Sequence, residues 1–378
     1  MAAAAVEPSS TQTEARQAAQ AYLNSRLTNG TSTPSTNPGQ KSPFTIPVID
    51  ISPSFSPNLA DRKAVAAQIH AACSTSGFFQ ITGHNIPSST RQGILDLAKR
   101  FFHTLPREKK DALHVRHSKY FRGWEPAEYT YVNPADWTGE QAAPETKEGF
   151  NWGYEEGLDA TGGDGAYVEL DGGKGNGNVW PREEDLPGFY ATVREYYAEV
   201  LGLARHLFRL FALALGLEEG AFDGMVTHPG GIARLLYYPP SKDPRPLEAG
   251  RKDDEIGLGA HTDYECFTIL LCSSAPGLEI LSPEDEWVEA KAVEGGFVVN
   301  VADFLMRWTN GVYKSTVHRV VNRTREERYS VPFFFSINYD QMVETLPSCI
   351  TPGNPSRYPP VRAGEYVLER LKATAKDG

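Results

Sequence analysis

The sequence predicts an α+β protein in which a helical first half is followed by a jelly-roll β-barrel with helices on its flank. Three observations carry that class. Before residue 215 apolar side chains recur at helical spacing in several segments. From Gly231 to Phe335 the chain changes to short runs rich in β-branched and aromatic residues, divided by Asp-, Pro- and Gly-rich turns. Within that second stretch, polar residues stand in pairs two apart, His261 with Asp263 and Arg328 with Ser330, a spacing that puts both members on one strand face.

The elements follow in order. Residues 1–42 are rich in Ala, Ser, Thr, Pro and Asn and are expected to be a flexible extension, with a helix over Thr11–Leu27 and a linker over Thr28–Ser42. They lack the apolar core of a signal peptide, and Glu7 and Glu14 count against a transit peptide. Residues 43–185 form an N-terminal region with loops that cover a pocket, and 186–378 a long helix and the barrel core, the two making one integrated unit. Ile46–Ile51 reads as a strand, and Leu59–Cys73 as an amphipathic helix with Val65, Ile69 and Ala72 on one stripe. Gly77–Thr82 is a buried strand, Ser89–Phe102 a second helix, and Pro106 suits the first turn of a third. Tyr120–Tyr154 is aromatic and irregular. Residues 155–180 are Gly-rich, yet no apolar strand precedes them and no Gly-Lys-Ser/Thr opens a helix, so a flexible surface insertion is expected rather than a phosphate loop. The longest helix spans Leu186–Leu215, and His206 within it is read as structural.

Composition narrows the function classes. A chain of 378 residues, 40% hydrophobic, can bury a sizeable core. A net charge of −11 argues against nucleic acid or an anionic membrane as partner, since both need a basic face. No apolar run reaches the ~20 residues of a membrane span. Cys73, Cys266, Cys272 and Cys349 show no paired spacing, as expected of reduced thiols in a cytoplasmic protein.

The chemistry is concentrated in the second half. His261 and Asp263 supply an imidazole and a carboxylate on one face, and His318 lies in a β-branched run that can return beside them. Together they form a 2-His-1-carboxylate triad, which holds Fe(II) and leaves three positions open. Ten residues after His318, Arg328 and Ser330 offer a guanidinium fork beside a hydroxyl, suited to the distal carboxylate of a dicarboxylic acid. A lone H-x-D is common; with a histidine on a second strand and R-x-S after it the pattern is far more specific.

On these residues the chain resembles the isopenicillin-N-synthase-like branch of the Fe(II)/2-oxoglutarate-dependent oxygenases, closer in texture to microbial and fungal small-molecule enzymes than to plant hormone oxidases. Further carriers are Arg234–Pro240, Val299–Leu305, Arg307–Gly311, Ile46–Ile51 and Gly77–His84, so the likeness spans residues 43–375. It implies a double-stranded β-helix, cupin-like, with Fe(II) on His261, Asp263 and His318. It implies 2-oxoglutarate chelating that metal, its far carboxylate held by Arg328, Ser330 and Tyr238. With O2, and ascorbate as an auxiliary reductant, such a site releases succinate and CO2 while hydroxylating, desaturating or cyclising a small organic metabolite. It implies also that the Tyr120–Tyr154 region overhangs the barrel mouth, with Arg122 and Asn151 orienting substrate. Phe150, Tyr264, Phe335 and Ile337 are expected to line the pocket. Three positions depart from the family's habit: Leu236 where asparagine is frequent, Glu265 where a small residue is usual, and Ala302 where glycine is common. A monomer or weak homodimer is expected. Two alternatives stay open here: an iron oxidase of the same fold that ignores 2-oxoglutarate, and a non-catalytic barrel holding a redox-inert metal such as zinc.

Overall fold

Eight strands form the larger of two facing sheets, and every long helix lies on its outer side. The computed structural model describes residues 45–129, 145–175, 177–244, 256–282 and 286–374. The expected Thr11–Leu27 helix and the 28–42 linker lie outside these residues. The strands of these two sheets are β1 (Val48–Asp50), β2 (Phe78–Thr82), β3 (Gly123–Glu125), β4 (Glu148–Gly153), β5 (Gly231–Tyr238), β6 (Ile256–His261), β7 (Phe267–Cys272), β8 (Leu278–Leu281), β9 (Trp287–Glu289), β10 (Phe297–Val301), β11 (His318–Val321) and β12 (Arg328–Phe335). The large sheet runs β1-β2-β10-β7-β12-β5-β4-β3 and the smaller one β6-β11-β8-β9. Apart from β1 with β2, the pairings are antiparallel, as a jelly-roll requires.

Helices α1 (Leu59–Thr75), α2 (Ser88–Thr104) and α4 (Phe189–Ala214) pack on the outside of that sheet, while α3 (Arg107–Ala112), α5 (Asp303–Trp308) and α6 (Ala363–Thr374) are shorter. The Asn58 side chain caps α1 by accepting from the Ala60 amide at 3.1 Å, supplying one bond that the first turn lacks. Along α4 the buried stripe includes Val193, Tyr197, Val200 and Leu207. Tyr197 meets Phe333 at a ring separation of 5.2 Å, and Phe208 meets Phe335 at 5.5 Å. Burying each such side chain contributes about 1.5–3 kcal/mol, so the sheet's outer face is the main source of stability.

Alternation along the strands sorts the two faces. Leu235, Phe333 and Phe335 point outward to the helices, whereas Leu236, Tyr238, Leu278 and Val320 cluster between the sheets.

Residues 155–180 differ from expectation. The segment is tied to the body: the Asp159 carboxylate takes Nη1 and Nη2 of Arg205 on α4 at 2.9 and 2.7 Å, and Glu169 and Leu170 are buried. The Asn178 side chain ties it to the end of β4, its Oδ1 accepting from the Gly153 amide at 2.8 Å and its Nδ2 donating to the Gly153 carbonyl at 3.1 Å. Positive-φ glycines such as Gly165 and Gly172 make its turns. Among the described residues no helix is long and apolar enough to cross a membrane, and the four cysteines are unpaired.

Candidate metal centre

The antiparallel pairing of β6 with β11 sets His261 directly opposite His318. Their rings stand 4.3 Å apart. Asp263 lies just beyond the end of β6, and its Oδ1 is 3.6 Å from Nε2 of His261 and 3.7 Å from Nε2 of His318. One ligand atom from each residue falls within 4.8 Å of the others, the arrangement a single ion needs.

The surroundings prepare these atoms for a metal. Nδ1 of His261 bonds the Gly259 carbonyl at 2.8 Å, and Nδ1 of His318 the Thr316 carbonyl at 3.1 Å. A carbonyl can only accept, so each Nδ1 carries the proton and each Nε2 presents a lone pair. Burial, then the proximity of His261, pushes His318 down to about 4, so its ring is neutral at pH 7. Burial opposes ionisation of Asp263, yet the two imidazoles and the Asn300 amide hold its carboxyl well below the usual carboxylate range. Its Oδ2 accepts from Asn300 at 2.7 Å and Thr268 at 2.5 Å, which turns Oδ1 toward the histidines.

A second polar feature lies along β12 and β5. Register pairs Arg328 with Tyr238 and Ser330 with Leu236, and all four face inward. Arg328 is buried, its guanidinium 4.9 Å from the Tyr238 ring centroid. It donates at 3.3 Å to the Ser330 hydroxyl and at 3.4 Å to the Cys272 sulfur, while its Nε has no hydrogen-bond partner. Among the described residues no carboxylate pairs with it. A buried cation left in that state is costly, and the cavity beside it fits a carboxylate ligand. That cavity, about 130 Å³, runs between the sheets and touches the triad and Arg328 alike.

Residues 229–337 match the family described as the 2OG-Fe(II) oxygenase superfamily, and residues 46–183 match the non-haem dioxygenase in morphine synthesis N-terminal family. The 2-oxoglutarate-Fe(II) type oxidoreductase hxnY of Emericella nidulans is 37% identical over 87% of this chain and 90% of its own length. The chain belongs to the 2OG-Fe(II) oxygenases. Clavatol oxidase claD of Penicillium crustosum is 35% identical over 88% of this chain and 97% of its own. Among solved structures, a full-length Neurospora crassa protein in complex with alpha-KG superposes with a TM-score of 0.73 at 28% identity, covering 88% of this chain and 98% of that one. The enzyme is thus a dioxygenase of the jelly-roll fold that uses Fe(II), 2-oxoglutarate and O2. The oxidase and zinc-barrel alternatives are set aside.

The oxygenase's cavity corrects several expected lining residues. Asn151 and Tyr264 do face it. Phe150 does not: it sits on the outer face of β4, its ring 4.9 Å from Phe101 and 5.1 Å from Phe189. Phe335 and Ile337 likewise belong to the helix-side core. The reason is parity: with Arg328 and Ser330 inward, Pro332 and Phe334 follow them into the cavity and Phe335 must point away. Arg122 is fully buried behind the wall, 3.7 Å from Glu169, and a Cβ on Gly153 would come within 2.3 Å of it.

Other lining groups went unnoticed in the sequence. Glu125 accepts from Lys147 Nζ at 2.6 Å and from Arg234 Nη2 at 2.7 Å, and Arg234 Nε donates to Asn151 at 2.8 Å. Burial works against the Lys147 charge, but Glu125 and Glu145 keep its pKa above the ordinary value. Arg234 carried a signal, since it shares strand parity with Tyr238; Glu125 and Lys147 come from short segments with no readable periodicity. Helix α6 adds Val367 and Leu371, and its Arg370 lies 4.5 Å from the Tyr264 ring centroid.

Proposed function

We propose that His261, Asp263 and His318 ligate Fe(II), and that Arg328, Ser330 and Tyr238 hold the distal carboxylate of 2-oxoglutarate. A small organic metabolite then enters beside Asn151 and Tyr264. The observation that carries this reading is the buried, carboxylate-free guanidinium of Arg328 in the same cavity as three converging metal-ligand atoms. Bound Fe(II) and 2-oxoglutarate supply O2 activation and oxidative decarboxylation, giving succinate, CO2 and the oxidising equivalent spent on the substrate.

The chain's own residues do the positioning. Asn300 and Thr268 fix the Asp263 carboxylate, and the carbonyls of Gly259 and Thr316 fix the imidazole rings. Phe78, Leu236, Leu270, Leu278 and Val320 line the cavity near these groups and keep water out. Substrate oxidation is hydroxylation, desaturation or cyclisation in specialised metabolism, a reading supported by fungal relatives that include a clavatol oxidase. We place the enzyme in the cytoplasm as a monomer or weak homodimer without nucleic-acid or membrane partners, consistent with its acidity and unpaired cysteines.

The test is anaerobic titration of the Fe(II)-loaded protein with 2-oxoglutarate, followed by its visible metal-to-ligand charge-transfer band. The band should appear in the wild type and vanish in His261→Ala. Bound iron without a band would overturn the cosubstrate assignment.

A further inference from the structure

Most polar groups that line the cavity away from Arg328 are committed to one another. Glu125 Oε1 accepts from Lys147 Nζ at 2.6 Å, and Lys147 also pairs with Glu145 at 3.3 Å. Asn151 uses both ends of its amide: Oδ1 accepts from Arg234 Nε at 2.8 Å, and Nδ2 donates to the Phe121 carbonyl at 3.2 Å. Glu265 turns Oε1 to the Tyr339 hydroxyl, behind the cavity wall. Arg234 differs. Its Nη2 donates to Glu125 Oε2 at 2.7 Å, but Nη1 has no hydrogen-bond partner among the described residues and is not a buried atom, with 18% of the side chain still accessible.

The fold aims that nitrogen. Arg234 shares the inward parity of Leu236 and Tyr238 on β5 and lines the same cavity. It stands four residues before Tyr238, the partner of Arg328 in the register, a span of about 13 Å at ~3.3 Å per residue. Its side chain leans over β4, where a Cβ on Gly149 would come within 3.3 Å of Nη2. Two bonds, to Asn151 and Glu125, thus clamp the guanidinium on the side away from β12, beyond the reach of a five-carbon diacid held at Arg328.

Charge narrows what Nη1 can meet. Lys147 and Arg234 are matched by Glu125 and Glu145, two cations against two carboxylates. Burial pushes Glu265 up to about 8, so it is mainly uncharged at pH 7. A carboxylate brought to Arg234 would leave this balanced, partly buried cluster with an excess negative charge, whereas a neutral oxygen takes up the spare donor and leaves the balance intact. The remaining wall here is apolar, with Ile232, Pro332, Phe334 and Val367.

We propose that Arg234 is a specificity-determining residue: its Nη1 donates a hydrogen bond to a neutral carbonyl oxygen on a small, otherwise apolar ring substrate such as a cyclic ketone. The proposal rests on the reading that the metabolite enters beside Asn151 and Tyr264. A site built to bond a polar group discriminates against an analogue that lacks it.

The test uses the Fe(II)- and 2-oxoglutarate-loaded protein under anaerobic conditions, titrated with ligand-observed NMR. The probes are 1-indanone with indane, 4-chromanone with chroman, and indane-1-carboxylate as the anionic counterpart. At least one ketone should bind more tightly than its hydrocarbon or ether partner and than the carboxylate. In Arg234→Met the ratio of ketone to partner affinity should fall at least about tenfold, the scale of one hydrogen bond to a charged group. Arg234→Gln, whose shorter amide can still donate to Glu125 but falls short of the Nη1 position, should lower the ratio likewise and guards against a folding failure of the methionine variant. A wild type that prefers no ketone, including one that binds none of the probes, overturns the proposal. So does a ratio retained in either folded variant. A wild type that favours indane-1-carboxylate over both ketones, with that preference lost in Arg234→Met, would make this an anion site and overturn the neutral-acceptor assignment. The charge-transfer band read in the same samples keeps the two readings apart. Its absence in the wild type would fail the cosubstrate assignment, while the paired affinities would still decide on Arg234.

Discussion

At one end of the cavity Arg328, Ser330 and Tyr238 project from two neighbouring strands in register; at the other, Glu125, Lys147, Asn151, Arg234 and Glu265 arrive from scattered segments. The first set is spaced by two residues on a strand and can be read as a pattern. The second is assembled by the fold, and no single spacing links its members. One end also has a buried cation with no carboxylate partner among the described residues, while the other closes its Glu125 and Lys147 charges on each other. Waiting for a ligand and being internally satisfied are different electrostatic designs, and substitutions should separate them.

The largest effect belongs to the metal. His261→Ala or His318→Ala should abolish stoichiometric iron binding and reduce succinate formation by at least about a thousandfold, with the far-UV dichroism unchanged. Iron content by atomic absorption and full turnover retained in either variant would remove that histidine from the ligand set.

Arg328 comes next and distinguishes the two ends. Arg328→Met should raise the 2-oxoglutarate concentration for half-saturation by about 30- to 1,000-fold, the scale of losing a buried charge-assisted contact of about 2–4 kcal/mol. Because the guanidinium has no carboxylate partner among the described residues, the same variant should be at least as heat-stable as the wild type without ligand. It should also lose the rise in melting temperature that 2-oxoglutarate gives the wild type. A strongly destabilised Arg328→Met would mean that the residue is structural.

Glu125→Gln should behave in the opposite way. It leaves Lys147 and Arg234 with weakened counter-charge, costing about 2–4 kcal/mol in denaturant unfolding, while the charge-transfer band with 2-oxoglutarate persists. A stable variant with a lost band would show that the two ends are coupled.

How far each end was legible follows from these contrasts. His261, Asp263 and His318 could be read because the chemistry of a metal demands a few residue types at strand spacing. Even there the local detail differed, since Asp263 lies past the end of β6 and is aimed by Asn300 and Thr268 rather than by the strand. Phe150, Phe335 and Ile337 lie outside the cavity because strand parity and tertiary packing, not aromatic or apolar character, decide which side chains face it: with Ser330 inward, the inward set continues as Pro332 and Phe334. Glu265 was visible as an unusual residue, but its anchor Tyr339 is 74 positions away. The 155–180 segment looked loose because glycines mark its turns, while the bond that ties it down joins Asp159 to Arg205 across 46 positions. Local periodicity survives in a sequence; pairings made by tertiary approach do not.

The smallest effect expected concerns Leu236, the one departure at the cosubstrate end. It lies opposite Ser330 in the register, is 3% exposed, and packs with Phe78, Tyr238 and Val298 between the sheets. Leu236→Asn would place an amide where relatives of this family often carry one. One added hydrogen bond is worth about 0.5–1.5 kcal/mol, so half-saturation by 2-oxoglutarate should fall by about two- to tenfold. The exchange also removes a buried apolar side chain and should cost about 1–3 kcal/mol of unfolding free energy in the absence of ligand. A titration of the charge-transfer band and a urea melt on the same preparation read both numbers. Tighter binding with lower stability would mean that this chain keeps Leu236 for packing and relies on Arg328 and the iron for affinity. Unchanged binding with the same loss of stability would mean that the amide finds no partner, and that the cosubstrate lies closer to Arg328 and Ser330 than to β5.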